Sequence, residues 1–494
     1  MARAKGARWS AGLASLALLA ACTPSPPAVT GPPAVGECAA VVATEAPFNP
    51  GAPGLCDSYF PQAGNGGYDV ADYHLDLTYD PATQTLRGSA TITATATANL
   101  SRFNLDFVGP DIESVQVDGQ PADIDQHDGE LVVTPASPIP AGTSFTTVVR
   151  YAGRPRGYPE PTDASTGFLV TDDGAIALGQ PQSAAAWFPV NDHPRDKATY
   201  TIAITVPSDL VALSNGVLES TTDSAQAGYT TWTWRESSPM APYLATMVVG
   251  DYRVHESTHD GRPVVLGVHA SLPPSVDAQL ARTTEVVDYL QTVFGPYPFD
   301  ALGGIVVDVT LGYALETQAR PVYGPSFFRT PVAEDPSWVI AHELAHQWFG
   351  NSVAIHDWRE IWLNEGFATY AEWLWNEHTG SPAGAAPTVE GMFDLWYGLF
   401  DDDSPFWEVT PGDPGKQHLF DQAVYIRGAM TLHALRRTVG DDAFFRILSE
   451  WASRKRNSTA TTAEFIALAE EIAGRQLDQL FQDWLYTPRR PPRP

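Results

Sequence analysis

The most constraining feature of this sequence is a metal-ligand pattern within residues 338–370. Its first part is the word HELAH at residues 342–346, and its second part is Glu365, which eighteen residues separate from His346. On a helix, His342 and His346 project from one face, so that both imidazoles can reach one metal ion. The pattern therefore predicts a metal site built on a helix.

The same residues indicate which kind of metal site this is. Three protein ligands, His342, His346 and Glu365, leave one coordination position open, as in catalytic rather than structural zinc sites. Glu343 follows the first ligand directly and can hold a water molecule beside the metal as a general base. We therefore expect one zinc ion per chain, with Glu343 as the catalytic base.

The size and charge of the chain limit its organisation and its partners. At 494 residues it is too long for one hydrophobic core and suggests about three domains. Its 29 basic and 58 acidic residues give a formal net charge of −29 at pH 7. A field of this sign repels phosphate backbones, so nucleic acid is not an expected partner.

The first residues have the pattern of an export signal. Three basic residues precede a short apolar run at residues 9–21, which is too short to remain as a membrane-spanning helix. The run ends in LAAC at 19–22, which resembles the lipobox of bacterial lipoproteins. Acylation of Cys22 would then anchor the mature protein on the outer face of the cell membrane. The alternative is an ordinary signal peptide, residues 1–21, followed by secretion.

Two further cysteines, Cys38 and Cys56, follow this signal. Outside the cell, two remaining thiols usually pair, so we expect a disulfide between them, with two unpaired thiols as the alternative. The segment 22–60 is rich in proline, alanine and glycine and has no periodicity. This composition is typical of a tether.

Strict alternation of apolar and polar residues begins near residue 68 and indicates strands. Tyr73, Leu75 and Leu77, for example, would share one face of a strand. Further runs of this kind are separated by clusters of Pro, Gly, Asn and Asp. Residues 61–255 are therefore predicted to form an all-β domain, either a sandwich or an open saddle-like sheet.

Helical spacing dominates the rest of the chain. Apolar residues recur at helical spacing in 276–294, and from Asp357 onward almost every segment is predicted to be helical. Residues 256–488 are therefore expected to form a second, mainly α domain that carries the metal site. The last residues, 489–494, are expected to be a disordered tail.

With these motifs in view, the chain resembles the aminopeptidase N-like zinc metallopeptidases, the family that includes the leukotriene-hydrolysing enzymes. The resemblance covers about residues 60–490 and rests on four separated motifs, of which the zinc pattern is the first. It implies a multidomain fold, with an all-β saddle-like domain followed by a thermolysin-like, mainly α catalytic domain. Many family members continue into a large helical C-terminal domain, which this chain is expected to lack.

The second motif is YALET at residues 313–317, which is similar to the G-A-M-E-N word of the family. The resemblance implies that Glu316 binds the free α-amine of the substrate, so that the first peptide bond falls at the metal. It also implies that Ala314 and Leu315 contact the substrate, with Leu315 at the position of the methionine that lines the pocket for the first side chain.

The third motif is QPQ at residues 180–182, which is similar to the Q-x-[EQ] word of the family. The resemblance places Gln182 at the second amine-binding position, on the β domain. Because Gln182 carries an amide instead of a carboxylate, part of the charge pairing found in many family members is lost. Weaker binding of the substrate amine is the expected consequence.

The fourth motif is YIRGA at residues 425–429, which is similar to the Y-x-K-G-A word of the family. Without the resemblance, Tyr425 would be interpreted as a residue of a helix core. The resemblance implies instead that its hydroxyl group donates a hydrogen bond to the oxyanion of the tetrahedral intermediate. Arg427 keeps the charge of the family's lysine but not its geometry.

Together these observations predict a monomeric zinc aminopeptidase that acts on peptides with a free N-terminus. One alternative is a zinc-dependent hydrolase of a small non-peptide molecule such as an epoxide, which the amide of Gln182 permits. The other is a surface lipoprotein with a vestigial zinc site, whose β domain binds a partner.

Overall fold

The strand that begins at Tyr68 shows why the first half of the chain folds into sheets. Its residues Tyr73, Leu75 and Leu77 are at most 2% exposed, whereas the residues between them are exposed or half-buried. One face of the strand therefore packs against a hydrophobic core. The computed structural model describes residues 47–155, 166–329, 335–380 and 386–494.

Residues up to Gly250 form a β domain, in agreement with the predicted fold class. Its strands are β1 (Asn49–Pro50), β2 (Tyr68–Asp80), β3 (Thr85–Ala96), β4 (Leu100–Asp106), β5 (Asp111–Val117), β6 (Gln120–Pro121), β7 (Asp123–His127), β8 (Glu130–Thr134), β9 (Ser144–Gly153), β10 (Gly167–Val170), β11 (Ala175–Leu178), β12 (Ala198–Pro207), β13 (Val211–Ser214), β14 (Val217–Asp223), β15 (Tyr229–Met240) and β16 (Met247–Gly250). An eight-stranded sheet has the order β14-β15-β12-β2-β3-β9-β5-β6, and two four-stranded sheets have the orders β1-β4-β8-β7 and β10-β11-β16-β13.

The second half of the chain is mainly helical. Its elements are β17 (Tyr252–His259), β18 (Arg262–His269), α1 (Ser275–Leu280), α2 (Thr283–Phe294), β19 (Leu302–Val306), β20 (Ala314–Leu315), β21 (Val322–Tyr323), α3 (Ser326–Arg329), α4 (Ser337–Ala345), β22 (Val353–Ile355), α5 (Trp362–Thr379), α6 (Val389–Leu399), α7 (Gln422–Val439), α8 (Asp441–Arg454), β23 (Ser458–Ala460), α9 (Thr462–Ala473) and α10 (Asp478–Phe481).

A five-stranded sheet forms one side of this mainly helical domain. Its strand order is β17-β18-β19-β21-β20, so that β20 lies at the edge. Helix α4 contacts the edge strand β20, and α5 packs against both α4 and α7. The edge strand and these three helices carry most of the site described below.

The described end of the segment predicted as a tether is instead packed into the fold. Asp57 is 2% exposed and accepts hydrogen bonds from the backbone N–H of Trp358 at 2.8 Å and from the His193 ring at 3.2 Å. Ser58 donates its N–H and its hydroxyl to Asp357. The tether prediction is therefore wrong for residues 47–60, because two polar side chains in a Pro-, Ala- and Gly-rich segment bind both domains.

The C-terminal residues are also packed, contrary to the predicted disordered tail. The guanidinium of Arg490 lies 4.1 Å from the ring centroid of Tyr397 and donates to Asp402 at 2.6 Å. The Tyr397 hydroxyl donates to the Pro491 carbonyl at 2.8 Å. Cation–π and hydrogen-bonding contacts hold this segment although its sequence contains no apolar run.

Several predictions for the N-terminal region concern residues 1–46, which lie outside the described residues. These are the signal peptide, the lipid on Cys22 and the state of Cys38. Cys56 is disulfide-bonded, as the expected pairing requires. Within the four described ranges, no helix has both the length and the apolar character needed to cross a membrane.

Charged residues of the β domain hold the segment that follows the metal-binding helix. The Lys197 ammonium donates to the carbonyl oxygens of Asn351 at 2.7 Å and Ser352 at 2.9 Å. Arg195 donates to the His356 carbonyl at 2.6 Å. The β domain therefore fixes the position of this segment, on which the site depends.

Candidate metal centre and active site

Helix α4 presents the two histidines as the spacing predicts. The rings of His342 and His346 lie on the same side of the helix end, with centroids 4.8 Å apart. They are 9% and 1% exposed, respectively. Two imidazoles therefore face one buried space next to the helix.

Helix α5 supplies the third ligand from its first turn. One carboxylate oxygen of Glu365 lies 3.3 Å from Nε2 of His342 and 3.4 Å from Nε2 of His346. Ligand atoms of these three residues all lie within 4.8 Å of one another. A single ion can therefore be bound by all three, as the sequence predicts.

The outer nitrogens of the two rings are fixed by other partners. Nδ1 of His342 lies 2.5 Å from a carboxylate oxygen of Glu372, and Nδ1 of His346 donates to the Phe349 carbonyl at 3.1 Å. Both Nε2 atoms are thereby directed at Glu365. Two imidazole nitrogens and one carboxylate, each oriented by a further hydrogen bond, fit a catalytic zinc ion. Glu372 was not identified from the sequence.

Opposite charges dominate the electrostatics of this triad. Although burial opposes the charged form, His346 and His342 lower the pKa of Glu365 to about 2. Burial also opposes protonation of His346, yet Glu365 and Glu316 raise its pKa to about 9. Glu365 is therefore anionic across the physiological pH range.

Glu343, the predicted general base, lies beside the triad. It is 4% exposed, and its carboxylate lies within 4.8 Å of ligand atoms of Glu316 and His346. Burial raises its pKa to about 8, against the opposing effect of the two imidazoles. A carboxylate whose pKa lies near neutrality can both accept and return a proton.

Glu316 reaches the same space from the end of the edge strand β20. Its backbone carbonyl accepts hydrogen bonds from Asn351 Nδ2 at 2.7 Å and from Gln347 Nε2 at 3.3 Å. Its carboxylate accepts one from Gln180 Nε2 at 2.9 Å. The predicted amine-binding carboxylate is thus placed beside Glu343 and is held at both ends.

The structure places Gln180 in contact with Glu316, whereas the amine-binding role predicted for Gln182 stays a prediction. Gln182 lies in the wall of another cleft, together with Phe60, Ala185 and Lys416. After β11 the chain turns, with the N–H of Ser183 donating to the carbonyl oxygen of Gly179 at 2.8 Å. Because of this turn the two glutamines diverge, although only Pro181 separates them in the sequence.

The predicted substrate-contacting residues lie in β20. Leu315 is 1% exposed and Ala314 is half-buried. They pair with Val322 and Tyr323 of β21 on one side only. The outer backbone edge of Ala314 and Leu315 therefore runs past the site.

Close packing of two helices brings Tyr425 to the metal centre. A Cβ atom on Gly428 would lie 2.9 Å from the Cα of Gly366, so α7 and α5 can approach closely only because both residues are glycines. The half-buried Tyr425 ring is stacked at 6.1 Å from the His342 ring. Burial and the neighbouring carboxylates keep its pKa well above 10, so that the hydroxyl group is protonated and can donate.

Arg427 has a structural role in this arrangement. It is 0% exposed and donates to five backbone carbonyls, those of Trp407, Val409, Asp483, Trp484 and Thr487. A lysine could not satisfy so many acceptors in this planar geometry. Arg427 thus fixes α7 to the C-terminal segment, at some distance from the chemistry.

Comparison with known families matches both halves of the chain. Residues 280–484 match the Peptidase family M1 domain, and residues 70–244 match the Peptidase M1 N-terminal domain. The two matches correspond to the helical domain and to the β domain of the structure.

Curated relatives share about a quarter of the residues over most of the chain. Aminopeptidase M1 of Arabidopsis thaliana is 28% identical over 332 residues, which are 63% of this chain and 36% of the relative. Glutamyl aminopeptidase of Sus scrofa is 28% identical over 319 residues, which are 62% of this chain and 34% of the relative. The chain thus spans about a third of the length of these relatives.

Solved structures match over nearly their whole length. The M1 zinc metallopeptidase of Deinococcus radiodurans is 30% identical with a TM-score of 0.79, and the match covers 89% of this chain and 98% of that one. A variant of a two-domain M1 zinc metallopeptidase bound to L-arginine is 29% identical with a TM-score of 0.78, covering 89% and 99%. A variant of the Deinococcus radiodurans enzyme is bound to a Tyr-Ser-Ala substrate.

Proposed function

The chain belongs to peptidase family M1, and from this premise we propose that it is a zinc-dependent aminopeptidase that removes N-terminal residues from peptides. One observation carries the proposal. The carboxylate of Glu316, held by Gln180, lies within 4.8 Å of ligand atoms of Glu343 and His346. An amine-binding group and a metal-binding group at this separation suit a substrate whose scissile bond is its first peptide bond.

The donor set of His342, His346 and Glu365 fits one zinc ion per chain. When bound, zinc supplies polarisation of the scissile carbonyl and lowers the pKa of a water ligand to about 7. The hydrogen bonds that the outer ring nitrogens donate to the Glu372 carboxylate and the Phe349 carbonyl orient both imidazoles for this role.

The residues of the chain move the protons and stabilise the charge. Glu343, buried beside the triad, removes a proton from the attacking water and returns it to the leaving amine. Tyr425, protonated and beside His342, donates a hydrogen bond to the oxyanion that forms on the carbonyl. These steps need no further side chain from outside the site.

The amine is bound by one charged and one neutral residue. Glu316 supplies the carboxylate, while Gln180 uses its Nε2 group to hold that carboxylate and retains its amide oxygen as an acceptor for the ammonium group. A single ion pair replaces the two that a glutamate at position 180 would give. The enzyme therefore selects a free N-terminus mainly through Glu316.

A panel of aminoacyl p-nitroanilides tests the proposed function. The zinc-loaded protein should cleave the free-amine substrates and not their N-acetyl counterparts, and a chelator should abolish cleavage. Cleavage of acetylated and free substrates at equal rates would contradict the amine anchor. If no peptide substrate is cleaved but an epoxide is turned over, the alternative of a small-molecule hydrolase is favoured. If nothing is turned over, the alternative of a non-catalytic surface lipoprotein is favoured.

We also propose that the protein is exported and anchored by a lipid on Cys22. The LAAC sequence at residues 19–22, after a short apolar run, supports this proposal. Mass spectrometry of the protein from a bacterial membrane fraction should show an acylated Cys22 at the N-terminus. A Cys22→Ser variant should appear in the soluble fraction, and its retention on the membrane would contradict the proposal.

A further inference from the structure

Tyr243 belongs to the β domain but lies against the catalytic domain. It is in a single 3₁₀ turn, Pro242–Leu244, and it is 1% exposed. Its ring meets the ring of Trp358, in the catalytic domain, edge to face at 5.4 Å. The side chain is therefore fixed across the interface of the two domains.

The backbone around Tyr243 contacts both segments that bind the substrate amine. A Cβ atom on Gly179, the residue before Gln180, would lie 2.7 Å from the Cα of Tyr243. The carbonyl oxygen of Leu244 accepts from Asn215 Nδ2 at 2.9 Å and from the N–H of Gln318 at 3.4 Å. Because Gln318 is two residues from Glu316, Tyr243 lies between the two amine-binding residues.

The hydroxyl group of Tyr243 is buried among the polar groups of the site. Among the residues that the structure describes, no well-formed hydrogen bond reaches it, but the side chains of Glu316 and Asn364 lie close enough to act as its hydrogen-bonding partners. The hydroxyl group can therefore link the Asn364 amide to the Glu316 carboxylate.

Asn364 has the same property. It is 0% exposed and directly precedes the zinc ligand Glu365. In the described part of the chain, its amide nitrogen and oxygen make no well-formed hydrogen bond, but its side chain lies within reach of the Tyr243 hydroxyl group. One donor and one acceptor on Asn364 and one hydroxyl group on Tyr243 thus converge beside Glu316.

The protonation of Tyr243 suits it as a donor. Burial raises its pKa well above 10, and the negative charges of Glu316 and Glu365 add to this effect. The phenol therefore keeps its proton at any pH at which the enzyme would work. A neutral phenol can donate one hydrogen bond and accept another at the same oxygen.

We propose that Tyr243 is a positioning residue for Glu316, accepting a hydrogen bond from the Asn364 amide and donating one to the Glu316 carboxylate when the substrate ammonium is bound. This inference rests on the proposed aminopeptidase function. It deepens that function by adding the β domain's own contribution to the recognition of a free N-terminus.

The need for such a contact follows from the single charge of the amine site. The backbone carbonyl of Glu316 is held by Asn351 and Gln347, and Gln180 donates to one of its carboxylate oxygens. Because position 180 carries no charge, the direction of this one carboxylate determines how well the ammonium is bound. A donor from Tyr243 would fix that direction when the domains and the substrate are assembled.

A Tyr243→Phe variant of the zinc-loaded full chain tests the proposal, since it removes only the hydroxyl group. Calorimetry would measure the Kd of L-arginine and of N-acetyl-L-arginine, and kinetics would measure kcat and KM for L-arginine p-nitroanilide. We expect the Kd of L-arginine and the KM to rise about tenfold, the loss of one charge-assisted hydrogen bond. The Kd of N-acetyl-L-arginine, kcat and zinc content should stay within about twofold.

Tyr200→Phe is the matched control. Tyr200 is 0% exposed, its ring stacks on Tyr73 at 4.9 Å, and within the described ranges its hydroxyl group has no hydrogen-bonding partner. It lies in β12, in the core of the β domain. We expect this variant to bind both ligands as the parent does.

Three results would overturn the proposal. They are unchanged binding of L-arginine by Tyr243→Phe, an equal weakening of both ligands, and a matching change in Tyr200→Phe, which would indicate general packing. If the unmodified protein binds L-arginine more tightly than N-acetyl-L-arginine but does not cleave the anilide, only the proposed function is contradicted. The binding comparison still decides the role of Tyr243. A parent without preference for L-arginine would contradict both.

Discussion

The metal centre and the β domain each bury a carboxyl group to about the same extent, but they shift its pKa in opposite directions. Glu365 is 3% exposed and Asp196 is 4% exposed. Two imidazoles at 3.3 and 3.4 Å face Glu365, and its pKa falls to about 2 although burial opposes this. Burial raises the pKa of Asp196 to about 8, and its charged neighbour is a second carboxylate, Asp69.

A pair of residues repeats this pattern in another part of the β domain. Asp106 and Glu130 face each other across β4 and β8, and burial raises their pKa values to about 7 and 8. Asp106 accepts from the Asn65 amide and from the N–H of Asp192, and neither residue has a salt bridge in the described ranges. These carboxyls serve as hydrogen-bonding groups, whereas Glu365 must be charged to bind a metal.

Glu343 combines the two environments. Burial raises its pKa to about 8, as in the β domain, while the imidazoles of His342 and His346 act in the opposite direction. Burial alone therefore keeps a carboxyl group protonated. Cations that face the carboxylate keep it charged, as a metal ligand must be. Both effects together give a base that can exchange a proton.

The largest expected effect comes from Glu343→Gln. Without a group that accepts the proton of water, kcat should fall about 10³-fold, while zinc content stays at one per chain. Glu360→Gln is the matched control, since Glu360 is also buried, with a pKa raised to about 7, but lies outside the site. Initial rates and metal analysis would check this, and a Glu343→Gln variant as fast as the parent would contradict the mechanism.

Tyr425→Phe should have the next largest effect. Loss of the donor to the oxyanion should lower kcat about 10²-fold and leave KM nearly unchanged. Tyr68 is its counterpart in the β domain, since burial and nearby carboxylates also raise its pKa well above 10, but its hydroxyl donates to the Asn104 carbonyl. Tyr68→Phe should reduce stability and leave kcat unchanged; an equal loss of kcat in both variants would contradict the distinction.

Glu372→Gln should weaken zinc binding by about 10- to 100-fold, because it removes the charge that orients the His342 ring. Competition with a chelator would measure the affinity. Added zinc should restore kcat close to that of the parent, since Glu372 is not itself a ligand. If zinc affinity does not change, the orientation of His342 does not depend on this carboxylate.

The sequence was sufficient for features that depend on local spacing. Helical periodicity alone predicted that His342 and His346 share a face, and the structure places Glu365 beside them. Alternation predicted the strands of the β domain. Such features follow from the geometry of one element and need no knowledge of its neighbours.

Features that depend on contacts between distant segments were not predictable in this way. Glu372 contacts His342 only because α5 packs on α4, and residues 47–60 are ordered by partners about 140 and 300 positions away, His193 and Trp358. The different positions of Gln180 and Gln182 follow from a turn after β11, which the word QPQ does not encode.

The two glutamines give the fourth prediction. Gln180→Glu would place a second carboxylate beside Glu316, and the ammonium of the substrate would pair with two charges instead of one. We expect KM for free-amine substrates to fall several-fold, partly offset by repulsion between the carboxylates. Gln182→Glu, two residues away, should leave KM unchanged; if it lowers KM and Gln180→Glu does not, the assignment of Gln180 is wrong.

The smallest effect is expected from the carboxyls of the β domain, and its sign follows from their raised pKa values. The folded protein binds the proton of Glu130 more tightly than the unfolded chain does, because its pKa rises from an ordinary value of 4.5 to about 8. The stability that this group contributes is complete below about pH 4 and is lost as pH rises through about 8. The β domain should therefore be more stable at pH 5 than at pH 8.

Glu130→Gln should remove most of this dependence, because the amide is neutral at both pH values. At pH 8 the variant should be more stable than the parent, and at pH 5 most of this difference should disappear. Urea denaturation at both pH values would measure this, with Glu219→Gln, an exposed glutamate of β14, as the control. A loss of stability at pH 8 would mean that the Glu130 carboxylate is stabilised by its charge, as Glu365 is, and the contrast between the two regions would fail.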